Sequence, residues 1–252
     1  MVPKLRKFTH DDRLRIAHHI ADRVVDKYGN NVLAVYVCGS TSKKLDRAFS
    51  DLELIVVVRD RVEISMKYYL HGGLIIQIEY LNSSKILRDA EQFDDNWHWV
   101  ADQYRNRIVL YERDEWFKRL NGAVAKSNKK DSHEALRKSL MMMTESMAVL
   151  RNDVLKKDKI GVLMRGRVLA EDAARILFLI NRRYVTTTSW FWKIAFGLED
   201  KPKDFKNLVE KMSGFVPTTE QEIVASSKKL YNEVFERVRQ HGVKIEQKQL
   251  WI

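Results

Sequence analysis

Two short clusters have the residue types and the spacing to do chemistry: Gly39-Ser40 and, eleven positions on from the serine, Asp51-Leu52-Glu53. Each borders an apolar run, Val32–Cys38 before the glycine and Leu54–Val58 after the acid pair. Runs of this length, rich in Val and Ile and bounded by turn residues, read as buried strands. Residues two apart in a strand point to the same face, so Asp51 and Glu53 project together where the second strand begins. Two adjacent carboxylates repel unless a cation sits between them, and hard oxygen ligands suit Mg2+. Gly39-Ser40 supplies a tight turn with N–H groups suited to phosphate oxygens. Lys43 and Lys44 lie within reach of that turn. The combination describes a site for a metal-bound nucleoside triphosphate (NTP).

The elements around these residues predict an α/β (α+β) protein: a mixed-sheet domain over 1–127, then a helical bundle over 128–252. Thr9 with Asp11 and Asp12 opens a helix that carries Leu14, Ala17, Ile20, Ala21, Val24 and Tyr28, and Gly29-Asn30 stops it. The segment from Ser40 to about Arg47 reads as a short helix whose first N–H groups face the phosphate site. Val62–Leu70 and Leu74–Leu81 flank His71-Gly72-Gly73 as a hairpin. In its second arm Gln77 and Glu79 share a face. Glu79 is the candidate third metal ligand, or else a solvent-facing strand residue. Ser83–Gln92 and Asp114–Lys126 read as helices. Asp94–Trp99, with two tryptophans around His98, reads as packing rather than as a base.

Polar Ser127–Lys130 marks the domain boundary. Beyond it, His133 to about Leu155 carries Leu136, Leu140, Met143, Met147, Leu150 and Val154 at core-facing spacing. Met141, Met142, Ala148 and Val149 make the other side apolar too, and Glu145 stands among them. A lone carboxylate there either reaches solvent or an arginine, or is a pocket acid suited to general-base work. Val162–Arg183, Phe205–Met212 and Glu220–Gln240 are further helices, and Val243–Ile252 reads as a short strand. Thr186-Thr187-Thr188-Ser189 reads as a helix cap or as a phosphate-contacting loop.

Composition sets outer bounds. The formal net charge of +11 favours anionic partners, nucleotide phosphates or RNA, or else describes a solvated basic surface. One cysteine excludes an intrachain disulfide framework, and no stretch is apolar for long enough to span a membrane. The first residues lack the apolar core of a signal peptide, so a cytoplasmic location is expected.

The stretch DKYGNNVLAVYVCGSTSKKLDRAFSDLEL resembles the kanamycin nucleotidyltransferase family, the aminoglycoside 4′-nucleotidyltransferases within the DNA polymerase beta-like nucleotidyltransferase superfamily. The HGG hairpin, HEAL, RRYVTTTS and ERVRQHG extend that resemblance over nearly the whole chain. It implies transfer of a nucleoside monophosphate from ATP or GTP to a hydroxyl of a small, aminoglycoside-like molecule, with Mg2+ bound and pyrophosphate released. It also implies a homodimer. Asp51 and Glu53 match the metal-binding pair, and Ser40 and Lys43 the triphosphate-binding residues. Glu145 matches the acceptor's base, and Thr188 falls near a phosphate-contacting threonine. The chain departs from the family at Val149, where a lysine is expected, and at Tyr68 and Gln77, where the family has acids. RNA or a protein hydroxyl as acceptor, and a module that senses nucleotide without transferring it, stand as alternatives.

Overall fold

The protein is described here by a computed structural model covering residues 4–244. The chain divides into two compact units. The first takes the chain up to Gln92, then Trp99–Lys130 and Thr186–Thr188. The second takes Phe93–His98, Asp131–Val185 and the chain from Ser189 onward.

The first unit is built on a five-stranded sheet with the order β3-β4-β2-β1-β5. Its strands are β1 (Val32–Val37), β2 (Leu52–Val58), β3 (Lys67–His71), β4 (Leu74–Asn82) and β5 (Ile108–Glu112). The β2–β4 pair is parallel and the other pairs are antiparallel, so the sheet is mixed. β1 and β2 are buried on both faces and therefore lack any polar alternation. Leu52, Leu54, Val56 and Val58 face α1 (His10–Tyr28), which packs through Ala17, Ala21 and Val24. Ile55 and Val57 face the other way, onto Ile86 and Ala90 of α2 (Ser83–Ala90) and Trp116, Phe117 and Leu120 of α4 (Trp116–Ser127). A register shift between Val32 and Ala34 turns both Leu33 and Ala34 to that second face.

α1 starts on a capping box in which the Thr9 hydroxyl accepts from the Asp12 N–H and Asp12 answers to Thr9. It ends at Gly29, whose φ of 52° favours glycine. The hairpin turn is Gly72-Gly73, with φ of 58° and 96°, as a two-residue loop requires. Its first arm is shorter than the sequence suggests, because Val62–Met66 stays outside the sheet. Two elements carry no clear sequence signal. α3 (Trp97–Arg105) starts within the DDNWHW cluster, and β5 is a half-exposed edge strand.

The second unit is helical. α5 (His133–Leu155) buries Leu136, Leu140, Met143, Met147 and Leu150, the stripe expected from their spacing. It packs with α6 (Lys159–Ile180) and α9 (Glu220–Gln240), while α7 (Phe191–Phe196) and α8 (Phe205–Met212) cover α6. The Asp158 carboxylate caps α6 by accepting from the Gly161 N–H, and Thr219 with Glu222 forms a capping box on α9. Ser146 donates to the buried Asp172 at 2.6 Å, which satisfies a carboxylate inside the bundle. Val243 and Lys244 are irregular, and the rest of the strand expected over Val243–Ile252 lies outside the described residues. Among the described residues no helix is long and apolar enough to cross a membrane.

His98 is buried in this second unit and stacks on Phe178 with ring centroids 5.9 Å apart. Burial, assisted by the positive charge of Arg175, pushes its imidazole down to about 4. The folded state therefore holds it neutral, while the unfolded chain takes up a proton near pH 6.5. Stability from this group is complete above pH 6.5 and falls as the pH drops towards 4, by up to about 3 kcal/mol. His98→Phe should flatten that part of the stability–pH curve in denaturant titrations. A variant whose curve runs parallel to the wild type would exclude His98 as the group responsible.

Candidate active site

β1 and β2 run antiparallel, with Val37 opposite Leu54, and the Cys38 N–H extends the ladder by donating to the Glu53 carbonyl at 3.0 Å. The end of one strand thus lies beside the start of the other. Gly39 turns the chain there with a φ of 64°. Its missing side chain is a spatial requirement as well, because a Cβ at Gly39 would collide with the Glu53 carboxylate. Among the described residues, neither the Gly39 nor the Ser40 N–H donates to a backbone carbonyl outside the regular elements. The helix expected from Ser40 to Arg47 is a single 3-10 turn, Thr41–Lys43. Lys44 then enters the left-handed region at φ 56°, which a continuing helix does not allow, so the chain from Gly39 onward is a loop with one tight turn.

Glu53 shares its sheet face with Ile55 and Val57. Its carboxyl group is held above the usual range, first by burial and then by the charge of Asp51, with Asp102 and Glu79 adding to the effect and Lys43 opposing it. The two acids of the D-x-E pair therefore do act on each other, as their spacing implies. Burial pushes the Cys38 thiol up, which makes this neighbouring cysteine a packing group rather than a nucleophile.

Glu79 lies on the same face, but the parallel register places it opposite Ile55, whereas Gln77 sits opposite Glu53. That puts Glu79 one strand repeat, about 7 Å, beyond the position level with Glu53. Among the described residues no three His, Cys, Asp or Glu side chains gather closely enough to hold a metal. The Asp51–Glu53 pair nevertheless fits Mg2+, which binds through one or two carboxylates and completes its shell with water and substrate phosphates. The burial and mutual repulsion felt at Glu53 are what a cation would relieve. Tyr68, opposite Gln77, extends the row Tyr68–Gln77–Glu53 across the sheet.

Two groups here, Asp102 and Arg13, carry no motif. Lys43 donates to the Gly39 carbonyl and pairs with Asp102 of α3 at 2.5 Å, both side chains being largely buried. Asp102 also accepts from Asn106 at 2.8 Å. It is 59 residues from Lys43 in sequence, so no local pattern could reveal it. Arg13 is fully buried and holds the loop that carries Asp51. Its guanidinium donates to the carbonyls of Phe8, Thr9, Arg47, Ala48 and Ser50, and pairs with Asp46 at 3.1 Å. One signal was available for it: Arg13 falls on the α1 stripe with Ala17, Ala21 and Val24, a charge where the pattern calls for an apolar residue.

Glu145 is exposed on α5 beside exposed Met141 and Met142, so burial within the bundle does not surround it. Thr188 opens an exposed 3-10 turn, Thr188–Trp190. The cap reading of the hydroxyl run does not describe α7, whose N-cap position is Trp190 with no side-chain hydrogen bond.

A glycine-serine turn beside a half-buried acid pair on a mixed sheet, followed by a helical unit, is the arrangement of a nucleotidyltransferase. Residues 114–244, just over half the chain, match the KNTase C-terminal domain. The chain therefore belongs to the kanamycin nucleotidyltransferase (KNTase) family. It is 22% identical over 236 residues to aminoglycoside nucleotidyltransferases (4′) from Staphylococcus aureus and a Bacillus species, covering 93% of either chain in each comparison. The crystal structure of a nucleotidyltransferase-like protein from Exiguobacterium sibiricum 255-15 shares the fold, with a TM-score of 0.56 and 17% identity. That match covers 89% of this chain and 77% of the other.

The Gly39–Glu53 approach has a direct consequence. Gly39→Ala should cost about 1–3 kcal/mol of backbone strain and displace the Glu53 carboxylate, lowering turnover at least 100-fold. Thermal unfolding and initial rates read the two effects separately. Wild-type turnover in Gly39→Ala would show that this close approach is dispensable.

Proposed function

We propose that the protein moves a nucleoside monophosphate from a Mg2+-bound NTP to a hydroxyl of an aminoglycoside-like small molecule and releases pyrophosphate. The observation that carries this reading is Glu53 packed against Gly39, with the charge of Asp51 acting on it. The names of the curated relatives support the acceptor class.

In this reading Asp51 and Glu53 hold the metal, with Glu79 further along the same face as a helper of the field rather than as a direct ligand. When bound, Mg2+ supplies charge that offsets what develops on the transferring and leaving oxygens. The free N–H groups of Gly39 and Ser40 donate to phosphate oxygens, and Lys43 adds a cation at the same turn. Thr188 offers a further hydroxyl donor to phosphate. Glu145 accepts the proton of the attacking hydroxyl, and its exposure leaves it open to an acceptor. Tyr68 and Gln77 carry no charge, so an acceptor's amino groups meet few carboxylates on the sheet. The reading therefore favours an acceptor with fewer amines than a highly charged aminoglycoside.

A homodimer belongs to the same proposal. Ile160, Leu163, Met164 and Val168 form one stripe on α6, and all four are exposed in the single chain. A contiguous apolar stripe of that kind suits a second copy. A cytoplasmic location, where NTP and Mg2+ are abundant, completes the picture.

Incubation with labelled ATP or GTP and a panel of hydroxyl acceptors, kanamycin included, tests the reaction through pyrophosphate release and acceptor mass gain. Asp51→Asn should abolish turnover with the fold intact by circular dichroism. Glu145→Gln should lower kcat by 100-fold or more, the usual span of general-base loss, with nucleotide affinity unchanged. Full activity in Asp51→Asn would remove the metal assignment, and an unchanged kcat in Glu145→Gln would remove the base. Light scattering on Ile160→Glu/Met164→Glu should report monomers where the wild type is dimeric.

A further inference from the structure

The sheet of the first unit has a second working face. Ile76, Ile78 and Tyr80 alternate with Gln77 and Glu79 along β4, so they point away from Glu53 and towards α1. Between α1 and the β3–β4 hairpin lies an open groove of about 710 Å³. Its floor is apolar, made by Ile16, Ile20 and Val24 from the helix and by Ile76 and Ile78 from the sheet. Tyr28, Tyr69 and Tyr80 add aromatic surface.

The rims carry one sign of charge. Arg15, His19, Arg23 and Lys27 line the helix side, Lys67 and His71 line the strand side, and no acidic residue lines the groove. Arg15 is paired with Asp12, and Asp22 and Asp26 stand exposed elsewhere on α1. Arg23, Lys27 and Lys67 make no ion pair among the described residues. Lys27 lies 5.2 Å from the Tyr28 ring centroid and Lys67 lies 5.9 Å from that of Tyr80, so cations and aromatic faces alternate. The positive surface continues past the hairpin tip. There the Arg6 N–H donates to the Gly73 carbonyl at 3.2 Å and brings exposed Lys4, Arg6 and Lys7 alongside.

We propose that this groove binds single-stranded nucleic acid, with phosphates along the two cationic rims and bases over the apolar, tyrosine-bearing floor. Arg15 to Lys27 spans about 18 Å of helix, room for a short run of nucleotides. Charge alone would also admit an acidic peptide. The flat apolar and aromatic floor between paired cationic rims favours bases, each of which has a π-face to lay on it. The groove occupies the sheet face opposite the catalytic carboxylates, so this binding is separate from nucleotidyl transfer.

The test is fluorescence anisotropy of the full chain with a labelled twelve-nucleotide oligouridylate, in saturating Mg-ATP so that the catalytic site is filled. Binding is expected at 50 mM salt, weakening roughly 20-fold by 200 mM if three phosphates are contacted. Arg23→Glu/Lys27→Glu should remove it while leaving transfer to a small acceptor unchanged. Tyr69→Ala should weaken it about five-fold or more. Three results would overturn the proposal: no binding at 50 mM salt, equal affinity in the charge-reversed variant, or displacement of the oligonucleotide by polyglutamate as effectively as by unlabelled RNA.

Discussion

The close approach of Gly39 to Glu53 is the contact from which the catalytic unit is laid out. An antiparallel β1–β2 pair brings the end of one strand to the start of the next, and only a residue without a side chain leaves room for the carboxylate. The same residue turns the backbone into the left-handed region, so one glycine meets a steric and a conformational demand together. Were the β1–β2 register to slip by one residue, Glu53 would move to the α1 face and its place would be taken by leucine.

That register fixes the ends of the loop between Gly39 and Asp51 but not its course. The course is set from outside by Arg13, whose guanidinium donates to five carbonyls and one carboxylate. Burying an arginine is costly unless its donors are used, and here they tie the chain at Phe8 and Thr9 to Asp46 and to the carbonyls of Arg47, Ala48 and Ser50, just before Asp51. His10 adds a 2.8 Å contact to the other oxygen of Asp46. The loop has almost no regular structure and is nonetheless positioned by a helix that precedes the sheet.

Much of this was legible in the sequence because it depends on local period and turn chemistry. The Val- and Ile-rich runs gave β1 and β2, Thr9 and Gly29 bounded α1, and the α5 stripe appears where its spacing put it. The D-x-E spacing put two acids within each other's field without any knowledge of the partner strand, although β2 itself starts only at Leu52. What stayed hidden depends on long-range placement. Asp102 meets Lys43 only because α3 folds back on the turn, and the parallel β2–β4 register, not the spacing of Gln77 and Glu79, decides which of them lies level with Glu53. The helix expected after Ser40 ends at Lys44, whose left-handed backbone closes the turn as the Leu45 N–H donates back to the Ser40 carbonyl. Glu145 looked enclosed because its helical neighbours are apolar, but Met141 and Met142 are themselves exposed.

The sheet also ends on an open margin. Among the described residues β3 pairs with β4 on one side only, and no further strand takes up its other row of peptide groups. Tyr68, Tyr69 and Leu70 stand exposed along it, a sequence well suited to recruiting a foreign β-segment. Its five residues leave little to template, and Lys67 and the flexible diglycine bracket both ends. Crowded or partly folded chains would meet along this border before they met through the buried core.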